Sequence, residues 1–184
     1  MEIKELNEKE IISIYKKHLK KDFPRNERRG LKNILKIRAD GHYEAYGLFD
    51  GGSLCGYAFL VKNGEDHLLD YFAAVSGKRG MGIGSEFLRL LKDALGGMNS
   101  LLAEAESPDK GEENTEKTRR ISFYLKNGFY DSGVSARTFG VDYCLLVYSP
   151  SGALSEKEVK DVYLKHYNIM LPAAVMKRAV KIKK

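Results

Sequence analysis

The sequence predicts a mixed α/β domain, and three observations carry that prediction. Two segments with apolar residues at helical spacing, between Asn7 and Arg38, precede three apolar and aromatic runs, Tyr43–Phe49, Ser53–Val61 and Leu68–Val75. The last run gives way to the glycine-rich stretch Ser76–Gly84 (SGKRGMGIG) and a further helical period. Beyond it, strand and helix signals alternate as far as Tyr148. The 184 residues suffice for one domain with its own core. A composition of 43% hydrophobic and 30% charged residues is ordinary for a globular chain and argues against a disordered one.

In order, Glu2–Leu6 reads as a short strand. Asn7 and Glu10 form a capping box for a helix with Ile11, Ile12, Tyr15 and Leu19 at helical spacing. Phe23-Pro24 ends it, because the residue before proline avoids the α region. Arg25–Arg38 reads as a second helix with Leu31, Ile34, Leu35 and Arg38 on a repeating face, ended by Asp40-Gly41. Asp50-Gly51-Gly52 and Asn63-Gly64 turn the next three strands into a meander. Ser85–Leu95 continues the helical period of Ile83, Phe87, Leu90, Leu91 and Ala94, and Gly96-Gly97 closes it. Ser100–Ala105 is a buried-type strand and Ser107–Thr115 a polar loop. Thr118–Asn127 is a helix stopped by Gly128 in the C′ position. Phe129–Val134 and Val141–Tyr148 follow as strands around a turn near Gly140.

Pro150–Gly152 reads as a linker dividing a domain at 1–150 from a helical extension at 151–184. Ser155 and Glu158 form a capping box that opens the extension, and Pro172 interrupts it. Val159, Val162, Tyr163 and Tyr167 share one helical face there, suited to docking on the domain or on a second subunit; a monomer and a homodimer both stay open.

The formal net charge of +6 invites a nucleic-acid reading until it is divided by segment. Lys16–Arg38 holds ten basic residues against Asp22 and Glu27, and the last eight residues add five more. The remainder carries 16 basic and 23 acidic residues, a net −7. An acidic body without a recognised nucleic-acid motif argues against a nucleic-acid partner. No apolar run approaches the length of about 18 residues that a membrane span needs. Met1–Leu6 is not a secretory signal, and two distant cysteines form neither a disulfide framework nor a metal site, so a reducing cytoplasm is expected. His18, His42, His67 and His166 show no metal-ligand spacing, and no metal is expected. Cys55 and Cys144 lie inside apolar strands with no basic partner nearby in sequence, which assigns both to packing.

Arg79-Gly80-Met81-Gly82-Ile83-Gly84 sits between a strand and a helix. Glycines let a ligand approach backbone N–H groups without meeting a Cβ. A helix start offers unsatisfied donors and partial positive charge, so a pyrophosphate fits there, and Arg79 adds a full charge. The glycine spacing and the absence of a parallel βαβ series disfavour a dinucleotide site. No Gly-Lys-Ser/Thr closes a phosphate loop of the Walker type.

Leu69–Leu88 (LDYFAAVSGKRGMGIGSEFL) resembles motif A of the GNAT superfamily of acetyl-CoA-dependent N-acetyltransferases. Arg79, Gly82 and Gly84 match its Arg/Gln-x-x-Gly-x-Gly/Ala signature. Arg119–Phe129 (RRISFYLKNGF) resembles motif B, a helix carrying Phe-Tyr and ending in Gly-Phe. The resemblance covers roughly Met1 to Tyr148. It implies a splayed, mostly antiparallel mixed sheet of about six to seven strands with helices on both faces, and acetyl-CoA as co-substrate. Backbone N–H groups of Gly80, Met81, Gly82, Ile83, Gly84 and Ser85 would take the pyrophosphate. Ala73, Ala74 and Val75 would pair with the pantetheine arm, one N–H polarising the thioester carbonyl. The sequence departs from the family at Ala74, where valine is usual, and at Val75-Ser76-Gly77, where acidic or proline residues are usual.

The implied reaction is direct acetyl transfer to a primary amine of a small molecule or peptide. Tyr124 matches the tyrosine that resembles a general acid toward the leaving sulfur, with Ile121 and Leu125 marking the buried helix face and Tyr124 near the cleft edge. Simple packing of Tyr124 with Phe123 is the structural alternative. For the base, Asp70 lies at even spacing from Ala74, on the same sheet face, and Glu104 and Glu106 are rivals on the next strand. A water relay is the remaining route. Six acidic residues between Glu104 and Glu116 and the basic run Lys16–Arg38 read as solvated faces. A second reading keeps the fold without the chemistry, as an acyl-CoA sensor or a nucleic-acid-binding module.

Overall fold

The computed structural model describes residues 1–78, 80–108, 111 and 115–183, and at Asn26 the backbone alone. The chain is divided into two compact units, Met1–Lys62 with Asp70–Gly96 and Asn63–Leu69 with Gly97–Lys184. No helix of the described residues is long and apolar enough to cross a membrane.

In the first unit, β1 (Glu2–Glu5) leads into α1 (Glu8–Ile14). The Glu10 N–H donates to Asn7 Oδ1 at 3.1 Å and the Asn7 N–H to Glu10 Oε2 at 2.8 Å, so the capping box forms. The helix widens into a π turn over Tyr15–Leu19, where the Lys20 N–H reaches the Tyr15 carbonyl, and α2 (Lys20–Asp22) ends at extended Phe23. The expected helix Arg25–Arg38 is divided instead. A 3₁₀ turn spans Arg25–Glu27, Arg28 is extended, and Gly30 stands at the N-cap of α3 (Leu31–Ala39). Glycine is costly inside a helix and nearly neutral at its N-cap, which places the boundary there.

β2 (Tyr43–Asp50) pairs antiparallel with β1 and with β3 (Ser53–Asn63). Gly51 and Gly52 make the β2–β3 turn at φ 53° and 78°, a geometry open to glycine without strain. After β4 (Asp66–Ala74), α4 (Ile83–Ala94) buries Ile83, Phe87, Leu88 and Leu91. Tyr43, Tyr57 and Tyr71 each meet the Phe59 ring edge-on, with centroids 6.2, 5.8 and 6.2 Å away. This aromatic cluster is the middle of the first unit's core.

In the second unit, Asp66–Leu69 of β4 pairs in parallel with Ser100–Ala103 of β5 (Ser100–Glu106). β5 pairs antiparallel with β7 (Val141–Tyr148), and β7 with β6 (Tyr130–Thr138). β6 runs four residues past the expected Val134, because a bulge at Gly133 (φ 72°) restores the register by Ser135. α5 (Glu116–Lys126) starts earlier than expected, with the Thr118 N–H donating to the Thr115 hydroxyl at the N-cap.

Beyond Pro150–Gly152, α6 (Glu156–Met170) begins at the expected capping box and buries Val159, Tyr163, His166 and Tyr167. The Tyr163 and Tyr167 hydroxyls reach Glu104 of β5 at 2.6 and 2.9 Å, so the expected docking face packs on its own chain. Pro172 separates α7 (Ala173–Ala179), and the chain then forms β8 (Val180–Ile182) against β6, a strand the sequence reading lacked. The sheet is therefore mixed and mostly antiparallel, with eight strands among the described residues in the order β1-β2-β3-β4-β5-β7-β6-β8.

Gly56 on β3 marks a close approach. A Cβ there would lie 3.0 Å from the Ala73 carbonyl oxygen and 3.1 Å from Phe87 Cδ1. Gly56→Val is expected to cost roughly 1–3 kcal/mol by overpacking, read as a lower urea midpoint with an unchanged m-value.

Candidate functional site

At the end of β4 the Val75 N–H donates to the Cys55 carbonyl at 2.9 Å. The Lys78 N–H donates back to Val75 at 3.0 Å, closing a turn with Gly77 at φ 87°. Gly80 and Gly82 also take positive φ, 80° and 77°, and a Cβ at either would meet nothing within 4 Å. Gly82 is the N-cap of α4 and provides no side-chain cap. The Glu86 N–H, bonded to the Gly82 carbonyl at 3.1 Å, is the first in the helical ladder. The N–H groups of Ile83, Gly84 and Ser85 therefore precede it, at the positive end of the helix. Met81 is 71% exposed beside them. Arg79 lies outside the described residues. An open, uncapped helix start with two glycines in the left-handed region fits a phosphate-bearing ligand.

Asp70, four residues before Ala74 on β4, is enclosed. Arg29 Nε and Nη2 donate to its two oxygens at 3.2 and 3.3 Å, and the Tyr43 hydroxyl donates to Oδ2 at 2.5 Å. Side-chain exposure of 13% for Arg29 and 12% for Asp70 makes this a buried ion pair. Burial works against the Arg29 cation, but the Asp70 charge and hydrogen bonds outweigh it and raise the guanidinium pKa. Tyr71 and Tyr15 extend the network. The Arg29 N–H donates to the Tyr71 hydroxyl at 2.6 Å, and the Tyr15 hydroxyl donates to the Arg29 carbonyl at 2.8 Å.

Tyr124 on α5 is buried, and the face expected to be buried is not: Leu125 is 43% exposed. The helix end explains the rotation. The Gly128 N–H donates to the Leu125 carbonyl and the Phe129 N–H to the Tyr124 carbonyl, both at 3.1 Å, with Gly128 at φ 84°. This is a Schellman motif, and its apolar contact is Tyr124 against Phe129, with ring centroids 5.1 Å apart. Phe123 meets Tyr124 edge-on at 5.3 Å. Burial pushes the Tyr124 phenol up to about 12, partly offset by the Arg120 charge.

Glu104 on β5 accepts hydrogen bonds from the Tyr163 hydroxyl at 2.6 Å and the Tyr167 hydroxyl at 2.9 Å. Burial, with the Glu104 charge second, raises both phenol pKa values, so they remain proton donors to the carboxylate. Glu106 pairs with Lys117 at 3.1 Å. Sequence reasoning had placed Tyr163 and Tyr167 on a docking face, but nothing local links them to a glutamate 59 and 63 residues away. Arg29, Tyr43 and Tyr71 were likewise missed as the surroundings of Asp70. Among the described residues, no group of three or more His, Cys, Asp or Glu could hold a metal ion.

No protein-family model and no curated protein matches the sequence. Solved structures do. A protein assigned to the GNAT family of acetyltransferases from Bacteroides thetaiotaomicron superposes with a TM-score of 0.72 at 23% identity, covering 92% of this chain and 97% of that one. The ribosomal-protein-S18-alanine N-acetyltransferase from Escherichia coli gives 0.63 at 18% identity, over 83% of this chain and 96% of that one. An aminoglycoside 6′-N-acetyltransferase complexed with coenzyme A gives 0.56 at 14% identity, over 81% and 97%. The chain has the GNAT fold.

The buried pair on β4 makes a testable demand on stability. Asp70→Ala removes the carboxylate that neutralises Arg29 and is expected to cost about 3–5 kcal/mol in denaturant unfolding. The double variant Arg29→Met with Asp70→Leu is expected to recover much of that loss.

Proposed function

We propose that this GNAT-fold chain is an N-acetyltransferase, moving the acetyl group of acetyl-CoA directly to a primary amine. The observation that carries the reading is the β4–α4 turn, where a Cβ at Gly80 or Gly82 would meet nothing within 4 Å and the helix start has no side-chain cap. The complex of one neighbour with coenzyme A supports the choice of ligand. In the proposed site, backbone N–H groups from Gly80 to Ser85 hold the pyrophosphate, and Arg79, the residue before Gly80 in the sequence, is the proposed source of an added positive charge. Backbone groups of Ala73, Ala74 and Val75 align the pantetheine arm, one N–H stabilising the oxyanion. Acetyl-CoA supplies an activated thioester and leaves as the free thiol.

Tyr124 is assigned the proton that the leaving sulfur takes up. A phenol raised to about 12 is fully protonated at neutral pH, as a donor must be. The amine loses one proton on acylation. Asp70 is already bonded to Arg29 and Tyr43, and Glu104 to two tyrosines, so the proposal passes that proton to water and gives both carboxylates a positioning role. The named neighbours act on a ribosomal-protein alanine and on an aminoglycoside, and a primary amine is the acceptor class proposed here.

Calorimetry with coenzyme A is the first test: binding is expected, and no heat at millimolar concentration removes the proposal. Gly82→Val, which strains the left-handed cap, is expected to abolish that binding. Tyr124→Phe is expected to lower kcat by about 10²–10⁴-fold with the coenzyme A Kd unchanged. The wild-type kcat is expected to rise with amine deprotonation and show no descending limb up to about pH 10, because the phenol has not yet ionised there. An unaltered kcat in Tyr124→Phe would dismiss the general-acid role.

A further inference from the structure

The glycine turn brings together two reactive side chains that the sequence had separated. Cys55 lies on β3, fully buried, and had been assigned to packing. Lys78 lies 23 residues later, yet its Nζ is 3.0 Å from Cys55 Sγ. Backbone bonds hold the pair in place: the Cys55 carbonyl accepts the Val75 N–H, and the Val75 carbonyl accepts the Lys78 N–H. Gly77, at φ 87°, sits third in that four-residue turn, where a left-handed residue is required. The thiol also donates a hydrogen bond to the Ser53 carbonyl at 3.4 Å.

We propose that Cys55 and Lys78 form a peroxide-driven, reversible covalent cross-link that ties the motif A loop to β3. In general the thiolate form of a cysteine is the nucleophile toward peroxide, and Lys78 Nζ, in contact with the Cys55 sulfur, is placed to receive the oxidised sulfur. Contact with sulfur also raises the Lys78 pKa, chiefly through the hydrogen bond. In the first step the sulfur attacks hydrogen peroxide, an S–O bond forms and the O–O bond breaks. Cys55 becomes a sulfenic acid, and the other peroxide oxygen leaves as hydroxide, which takes a proton from solvent to become water. In the second step the Lys78 ammonium first gives one proton to solvent; the free amine then attacks that sulfur, an S–N bond forms and the S–O bond breaks. The departing hydroxide takes a second proton from that nitrogen and leaves as water. The product is a sulfenamide, which two equivalents of thiol return to free cysteine and lysine, with a disulfide of the reductant. Sulfenic acids are short-lived nearby a nucleophile, and a side-chain nitrogen held in contact is better placed than any diffusing thiol.

The consequence for ligand binding rests on the proposed function, because the tether spans Gly77 and enters the turn that would hold pyrophosphate. The linkage itself does not rest on it. The test uses the full chain carrying Cys144→Ser, so that Cys55 is its remaining thiol. Dilute hydrogen peroxide, proteolysis and mass spectrometry are expected to give a joined Cys55–Lys78 peptide pair, lighter by two hydrogens and separated again by dithiothreitol. Lys78→Arg keeps the charge and loses the amine; its sulfenic acid is expected to persist and be trapped by dimedone. Cys55 oxidised with Lys78 unlinked in the Lys78-containing chain, Cys55 unreactive, or the same mass loss in Lys78→Arg would each overturn the proposal. Calorimetry on the cross-linked protein is expected to show most coenzyme A binding lost, regained on reduction. A link that forms in a protein with no coenzyme A binding at any stage leaves the link standing and removes the proposed function instead.

Discussion

Between Ala74 and Ile83 the chain turns from strand to helix with Gly77, Gly80 and Gly82 all at positive φ, and contacts at both ends of the turn hold it. Three residues in a region open mainly to glycine carry a large entropy cost, because each gives up more freedom on folding than any other residue type. The surroundings offset it with fixed contacts at either end. At the strand end, Val75 is bonded to Cys55 and Lys78 to Val75. At the helix end, Phe87 stacks on Phe72 at 5.2 Å and fits because Gly56 has no side chain in its way. The loop is anchored at its two ends, and a Cβ at Gly80 or Gly82 would meet nothing within 4 Å, an arrangement that suits a backbone phosphate cradle.

The local signals in the sequence were read correctly for a physical reason. Asn7 with Glu10 and Ser155 with Glu158 are capping boxes whose partners lie three residues apart, so both donor and acceptor are visible in one window. The meander turns at Gly51-Gly52 and Gly64 are equally local. Gly30 was passed over because Leu31 and Ile34 fit a helical face that runs on to Arg38, and apolar spacing alone does not register the cost of a glycine inside it. β8 was passed over because Val180–Ile182 is three residues long, and its pairing with Ala136–Thr138 is a contact no window spans.

The candidate site divides in the same way. Its backbone part, the glycines and the helix start, was legible because glycine spacing encodes φ directly. Its side-chain part was not. An acid within an apolar strand signals a special environment, and both Asp70 and Glu104 have one, but the sequence does not say whether that environment is a reaction or a set of partners. At Asp70 the answer depends on Arg29 and Tyr43, 41 and 27 residues away. At Tyr124 the error was rotational. Ile121 and Leu125 suggested a buried stripe, whereas the Schellman bonds of Gly128 and Phe129 turn Tyr124 inward and leave Leu125 at the surface.

The two basic segments look different once their partners are known. Arg29 is consumed by Asp70 in a buried pair, Lys36 by Asp40, and Arg38 approaches Glu5 at 3.8 Å. Near the other end, Lys183 lies 2.6 Å from Asp142, which Arg137 also contacts, and hydrogen bonds from both cations hold that carboxyl down at about 2. The exposed pairs among these add little stability, but all of them cancel charge locally, so the far field of each segment is weaker than its residue count implies. A formal +6 is then a poor guide to a polyanionic partner. The chemistry that a phosphate would meet is instead the concentrated, fixed dipole of backbone N–H groups at the start of α4, which no count of charged residues reveals.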